Sequence, residues 1–281
     1  MRLRLCVLSI WVSVAVSPSF GDIFSFSTGN PDGKMATASR PDTGVFEIES
    51  ADDFLLSSPT KINSATFQGI LTNGATLGDI GEVAVEIYRV FPNDSNDPPS
   101  GNVPTRMNSP SDVAFDTKDS VAATLSFVAT EESPLFTVNN SVQPGGIHAK
   151  PNQTTTGDGA VRGEEVLFTI TFGTPFNLPA DHYFFVPQVE VAGGDFLWLS
   201  APKPIVAPGT SFNPDLQSWT RDAALDPDWL RVGGDIVGGQ PAPAFNAVFS
   251  LTGTVVPEPT SWIFVGVALL GMAMFRLRRS H

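Results

Sequence analysis

Several groups of residues in this 281-residue chain carry side chains that chemistry could use. Asp42-Thr43-Gly44 is the triplet of an aspartic protease, whose mechanism needs two aspartates sharing one proton. No second Asp-Thr-Gly or Asp-Ser-Gly occurs, and Ala-Ser-Arg-Pro rather than an apolar strand precedes this one. It reads as a turn. Asn93-Asp94-Ser95-Asn96-Asp97 crowds oxygen-bearing side chains together, and calcium takes six to eight oxygens. Asp94 and Asp97 are therefore candidate calcium ligands, although no glycine at the sixth position and no closing Glu make an EF-hand. The competing reading is a turn, since Asn and Asp bond their own backbone. Asp222, Asp226, Asp228 and Asp235 gather near Trp229 and Arg231, and Asp226 and Asp228 form a second calcium candidate. Two carboxylates across a cleft would instead suit glycoside hydrolysis, but sequence gives no separation between them, and the stronger reading is a structural loop.

Other chemistries have thinner support. His148 and His182 are the two histidines of the central chain, with no metal-ligand spacing around them. No Gly-x-Ser-x-Gly positions a nucleophile. Trp219 and Trp229 lie among polar residues and could stack on sugar rings, with packing in the core or at its rim as the competing and stronger reading, whereas Trp198 in Phe-Leu-Trp-Leu reads as core. These readings leave no catalytic residue assigned, and calcium as the one cofactor left open.

The elements that must position such residues are strands. Val83, Val85 and Ile87 alternate onto one face, as do Val166, Phe168, Ile170 and Phe172. Further strands are expected at 23–27, 45–48, 54–56, 62–71, 121–129, 135–138, 183–191, 196–200 and 244–251. Turn chemistry separates them, as in Thr72-Asn73-Gly74 and Pro144-Gly145-Gly146. The Pro-rich stretch 92–112 and the Gly- and Thr-rich stretch 145–163 read as surface loops. No apolar 3.6-residue period lasts three turns between the two ends. The expected fold is all-β, an antiparallel β-sandwich of jelly-roll type, in one domain spanning 22–255.

Charge narrows the partners. The net charge is −13, and between Asp22 and Gly253 there are 28 acidic and 11 basic residues, near −17. Such a surface repels nucleic acid and acidic polysaccharide and favours calcium or cationic partners. Met1–Gly21 reads as a signal peptide: Arg2 and Arg4 precede the apolar run Leu5–Val16, and Ser17, Ser19 and Gly21 offer small-x-small cleavage after Ser19 or Gly21. The single cysteine, Cys6, lies inside it, so the processed chain would have none.

At the other end, 256–281, Val256-Pro257-Glu258-Pro259 is followed by the apolar run Trp262–Phe275 and by Arg276, Arg278 and Arg279. Fourteen helical residues span roughly 21 Å, a marginal membrane segment unless its flanks extend it. Trp262 would sit at the outer interface and the arginines on the cytoplasmic side. This tail resembles the PEP-CTERM sorting signal of exported bacterial proteins, with Pro257, Glu258 and Pro259 as its motif and Arg276, Arg278 and Arg279 as its basic stop. The resemblance implies recognition by an exosortase-type membrane peptidase, after a signal peptidase acts at the N-terminus. Stretches of the central chain such as YRVFPNDSN and FNLPADHYFFVPQVE look like a recurring type among such proteins, with no activity attached to it.

The expectation is a non-enzymatic envelope or extracellular-matrix protein, transiently anchored by one span, whose domain is structural or associates with polysaccharide. The rival readings are a secreted glycoside hydrolase or lyase acting on exopolysaccharide, and a surface protein that self-associates through calcium.

Overall fold

A computed structural model describes residues 21–91, 106–148, 154–223 and 229–257. The N-terminal leader, Asp94, Asp97, Asp226, Asp228, Glu258, Pro259, the apolar tail run and Arg276, Arg278 and Arg279 lie outside the described residues. Among the described residues no helix is long and apolar enough to cross a membrane.

The strands run, in chain order, β1 (Ile23–Ser27), β2 (Met35–Ala38), β3 (Ile48–Leu56), β4 (Thr60–Leu71), β5 (Ile80–Phe91), β6 (Ser109–Pro110), β7 (Asp116–Asp119) and β8 (Leu125–Val138). They continue with β9 (Asn140–Val142), β10 (Val161–Leu178), β11 (Asp181–Val191), β12 (Phe196–Ala201), β13 (Trp219–Asp222), β14 (Leu230–Arg231), β15 (Asn246–Ala247) and β16 (Phe249–Val255). The described residues are all-β, as expected. The helical pieces among them are single turns and a six-residue π-helix, Val232–Val237.

Two sheets form. The larger runs β1-β16-β4-β12-β2-β9, with β10 joining β4 to β8. The smaller runs β14-β13-β3-β11-β5-β6, with β7 also on β5. All pairings are antiparallel except β2 with β9. Strand β4 organises the larger sheet because it has 12 residues, enough for two partners on one edge: β16 along Thr60–Phe67 and β12 along Gly69–Leu71. Gly69 stands where they meet. A Cβ there would lie 2.0 Å from the Phe196 ring and 2.7 Å from the Leu197 carbonyl, so only glycine lets β12 approach.

The inward faces of both sheets supply the core. Phe67 stacks on Phe168 at 4.8 Å within the larger sheet, and Phe249 of that sheet stacks on Phe185 of the smaller at 5.0 Å. Each fully buried phenylalanine contributes about 1.5–3 kcal/mol. Trp198 belongs to this core and donates its indole N–H to the Val248 carbonyl at 2.8 Å.

Three boundaries differ from expectation. Val45–Glu47 is not strand; pairing begins at Ile48, where Arg40 bridges to it. Val121–Thr124 is a turn held by Asp119, whose carboxylate accepts from the Ala122 N–H. The two strands expected at 121–129 and 135–138 are one, β8, running through Glu131, Glu132 and Pro134. Those residues lie where the β8–β10 register shifts, and charge, proline and irregular register together discourage pairing by an edge strand.

Asp22–Val256 is one compact unit whose two ends meet. Ile23 pairs with Thr254, and the Val255 N–H donates to the Asp22 carbonyl at 2.8 Å.

Candidate functional site

An antiparallel sheet usually leaves one face in water. The smaller sheet does not. Period-two alternation directs Val83, Val85, Ile87, Tyr183 and Phe185 to the core between the sheets. The alternate positions form the outer face: Glu49, Ala51 and Asp53 of β3, Glu86 and Tyr88 of β5, His182, Phe184, Val186 and Gln188 of β11, and Trp219 and Arg221 of β13. A second apolar layer of Ala51, Tyr88, Phe184, Val186, Trp219 and Trp229 covers the middle of this face, with Ala114 and Leu216 against it. Ionisable groups are thereby sealed in on either side of the aromatics, where each needs a partner.

On one side, Arg221 is the organising cation. Its Nε donates to Glu49 Oε2, its Nη2 to the Tyr88 hydroxyl at 3.0 Å, and its Nη1 to the Asp112 carbonyl at 3.2 Å. The Tyr88 hydroxyl also contacts Glu49 Oε1, and Glu86 Oε2 at 2.8 Å. Glu47, before β3, accepts from Gln188 Nε2 at 2.7 Å. Burial pushes the Tyr88 hydroxyl far up, reinforced by the Glu49 and Glu86 charges, so it stays protonated and is no general base. Burial, then the neighbouring Glu49, raises Glu47 and pushes Glu86 up to about 7. Glu47, Glu49 and Glu86 bring one oxygen each within 4.8 Å of one another, close enough to hold a cation. Both oxygens of Glu49 are already taken, however, by Arg221 and Tyr88. Arg221 compensates Glu49, and the cluster keeps more carboxyls than cations.

On the other side, Asp53 Oδ2 accepts from the Leu216 N–H at 3.1 Å and lies 2.6 Å from His182 Nε2. Its Oδ1 is buried without a partner. Asp52, on the inward side of β3, accepts from the Ala247 N–H at 2.8 Å and from Ser218 Oγ at 3.3 Å, and burial raises it well above the usual carboxylate range. An aspartate–histidine pair suggests nucleophilic catalysis, but among the described residues no hydroxyl bonds His182. Nearby, the Lys203 ammonium is held by Asp215 Oδ1 at 2.8 Å, Asn246 Oδ1 at 2.9 Å and the Asp215 and Leu216 carbonyls. Above it lies an open groove of about 540 Å³ that Phe212, Asn213, Ser211 and Ile205 help to line. It adjoins a second of about 330 Å³ bordered by Gln217, Asn108 and Trp219.

The residues singled out from sequence fall as follows. Trp219 and Trp229 are 2% and 3% exposed, which corrects their reading as sugar-stacking platforms. Arg106 lies 5.4 Å over Trp219, Arg221 lies 4.6 Å over Trp229, and the Trp229 indole donates to the Ser111 carbonyl at 3.1 Å. Trp219 lies within β13 and Trp229 directly before β14, and both rings pack into the apolar layer on the outer face of the smaller sheet. Asp235 is fully enclosed and accepts from Arg106 Nη1 at 2.8 Å and from Arg231 Nε and Nη2 at 2.9 and 2.8 Å. Those bonds hold its carboxyl well below the usual range, and its role is to pin the π-helix. Asp42-Thr43-Gly44 is a turn, with Gly44 at φ +92°. His148 is exposed, whereas His182 is shielded against Asp53. Pro257 of the tail motif is exposed.

The Glu49–Tyr88–Glu86–Arg221 cluster is absent from the sequence reading. Its signal was there: Glu86 and Tyr88 alternate with Val85 and Ile87, and so occupy the other face of an apolar strand. No family model, curated protein or solved structure matches this chain.

Proposed function

We propose that this is a non-enzymatic, polysaccharide-associated module of the bacterial envelope or extracellular matrix, a jelly-roll-like β-sandwich exported by its leader and sorted through its PEP-CTERM-like tail. The observation that carries binding over hydrolysis is how the carboxylates beside the open groove are used. Asp215 is tied to Lys203 and Asn246, Asp53 to His182 and Leu216, and Asp52 is buried. Glycoside hydrolysis needs two carboxyl groups facing each other across a cleft at about 5–10 Å. The groove instead presents Phe212 beside Asn213 and Ser211, an apolar plate with hydrogen-bonding neighbours, which suits the alternating faces of a sugar ring. The acidic surface supports a neutral polymer over an acidic one.

Affinity electrophoresis of the secreted protein through gels containing the producing cells' exopolysaccharide tests this reading. Retardation is expected, at least ~10-fold weaker for a Phe212→Ala, Asn213→Ala double variant, with the polymer's length distribution unchanged. Shortening of the polymer by the purified protein would instead establish the hydrolase or lyase.

A further inference from the structure

The Tyr88 hydroxyl has more partners than its own proton can serve. Arg221 Nη2 donates to it, Glu86 Oε2 lies at 2.8 Å, and Glu49 Oε1 is in contact with it. A phenol donates one hydrogen bond. With two carboxyl oxygens on it, one carboxyl must bring a proton of its own, or the contact is between two electron-rich oxygens. Glu49 is compensated without one, because Arg221 donates to its other oxygen. Glu86 has no such cation: its Oε1 accepts from Thr117 Oγ1 at 3.0 Å, and among the described residues no Lys, Arg or His is paired to it.

The surroundings agree from every side. Glu49 of β3 and Glu47 just before it face Glu86, Tyr88 shares its strand, and Arg221 of β13 is the one cation of the group. Gln188 of β11 and Thr117 of β7 are neutral, and Asp112 of the covering segment offers Arg221 its carbonyl, while its own carboxylate oxygens are buried without a partner. Three carboxyls thus meet one guanidinium. The same side chains hold the cover in place: Tyr88 packs edge-on to Trp229 at 5.5 Å and Arg221 lies over that indole.

We propose that a proton carried by Glu86 and shared with Tyr88 and Glu49 fastens the Ser111–Asp112 and Trp229 cover to the smaller sheet, and that losing it as pH rises through neutrality loosens that contact. The module is then tightest in mildly acidic surroundings. The direction follows from linkage: Glu86 titrates near 7 when folded and near 4.5 when unfolded. The folded state therefore holds the extra proton between those values. Its stabilising contribution is complete below about pH 4.5 and gone once pH exceeds about 7.

Glu86→Gln keeps an N–H in place of the acid proton and cannot ionise. Between about pH 5 and about pH 8, the wild-type unfolding constant should rise on the order of 100-fold more than that of the variant. The Trp229 indole resonance should broaden over that range in the wild type and stay sharp in Glu86→Gln. Equal pH slopes for the two proteins would overturn the proposal. Should the variant fail to fold, side-chain carboxyl NMR of the wild-type protein decides the matter. One glutamate titrating near pH 7 is expected, and every glutamate titrating below about pH 5.5 would refute it.

Discussion

Arg221→Met is expected to lose about 3–5 kcal/mol of unfolding free energy, measured by urea denaturation at pH 7. Two charges in water gain little from pairing, and an exposed pair is worth about 0–1 kcal/mol. Glu49 and Arg221 are different because the side chains are 1% and 10% exposed. Removing the guanidinium leaves Glu49 enclosed with no cation and deprives the Tyr88 hydroxyl and the Asp112 carbonyl of a donor. It also strips Trp229 of the group lying on its ring. Adding Glu49→Gln to Arg221→Met removes the stranded charge and should recover more than half of the loss, a coupling that a double-mutant cycle reads directly. A loss below about 1 kcal/mol would mean that the cluster is wet and behaves as a surface pair.

Asp235→Ala is the second large effect, also about 3–5 kcal/mol by the same measurement. Asp235 is the joint between three pieces of chain: Arg106 shortly before β6, Arg231 at the end of β14, and the π-helix that contains the aspartate itself. Its alanine variant leaves two guanidiniums facing each other across an empty corner. The dependence on pH separates this site from the Glu86 cluster. Because the folded carboxyl titrates below its ordinary value near 3.8, its contribution is present above that value and lost as pH falls further. Wild type and Asp235→Ala should therefore converge in strong acid and stay apart at neutral pH. A constant difference down to about pH 2 would contradict the ion-pair account.

Together these groups predict an optimum of stability on the acid side of neutrality. Asp52, Asp53, Glu47 and Glu86 are all raised by burial, and among the described residues Asp235 alone of the strongly shifted carboxyls is lowered. A chain whose central part carries near −17 also relieves self-repulsion as it takes up protons.

The class of fold was legible because alternation is a local property. Val166, Phe168, Ile170 and Phe172 sit on one face wherever β10 happens to pair. Short strands that exist through their partners were not legible. Met35–Ala38 carries no alternation, being buried on both faces, and Leu230–Arg231 is two residues defined by β13. The same limit hid the charge cluster. Glu49, Glu86 and Arg221 are far apart in sequence, and only the order β13-β3-β11-β5 brings them together. Strand β3 differed in its own way, since the expected strands ended at residue 48 and resumed at residue 54, with Glu49, Asp52 and Asp53 in neither. In the folded chain all three are buried in one continuous strand. Trp219 and Trp229 show the converse: polar neighbours in sequence do not place an indole in water when the ring itself packs onto the face of a sheet.

The ends of the domain give the account its most direct test. Asp22 and Val255 are hydrogen-bonded across β1 and β16, so cuts outside them leave every strand of both sheets intact. A protein exported through its leader and sorted through its tail should be recovered from the cell exterior as this body alone. Intact-mass measurement of the secreted protein is therefore decisive. The predicted mass corresponds to a chain that begins after Ser19 or Gly21, ends near Pro257–Pro259 and contains no cysteine. A secreted species whose mass still includes Trp262–His281 would contradict processing of the tail, and a species retaining Cys6 would contradict removal of the leader.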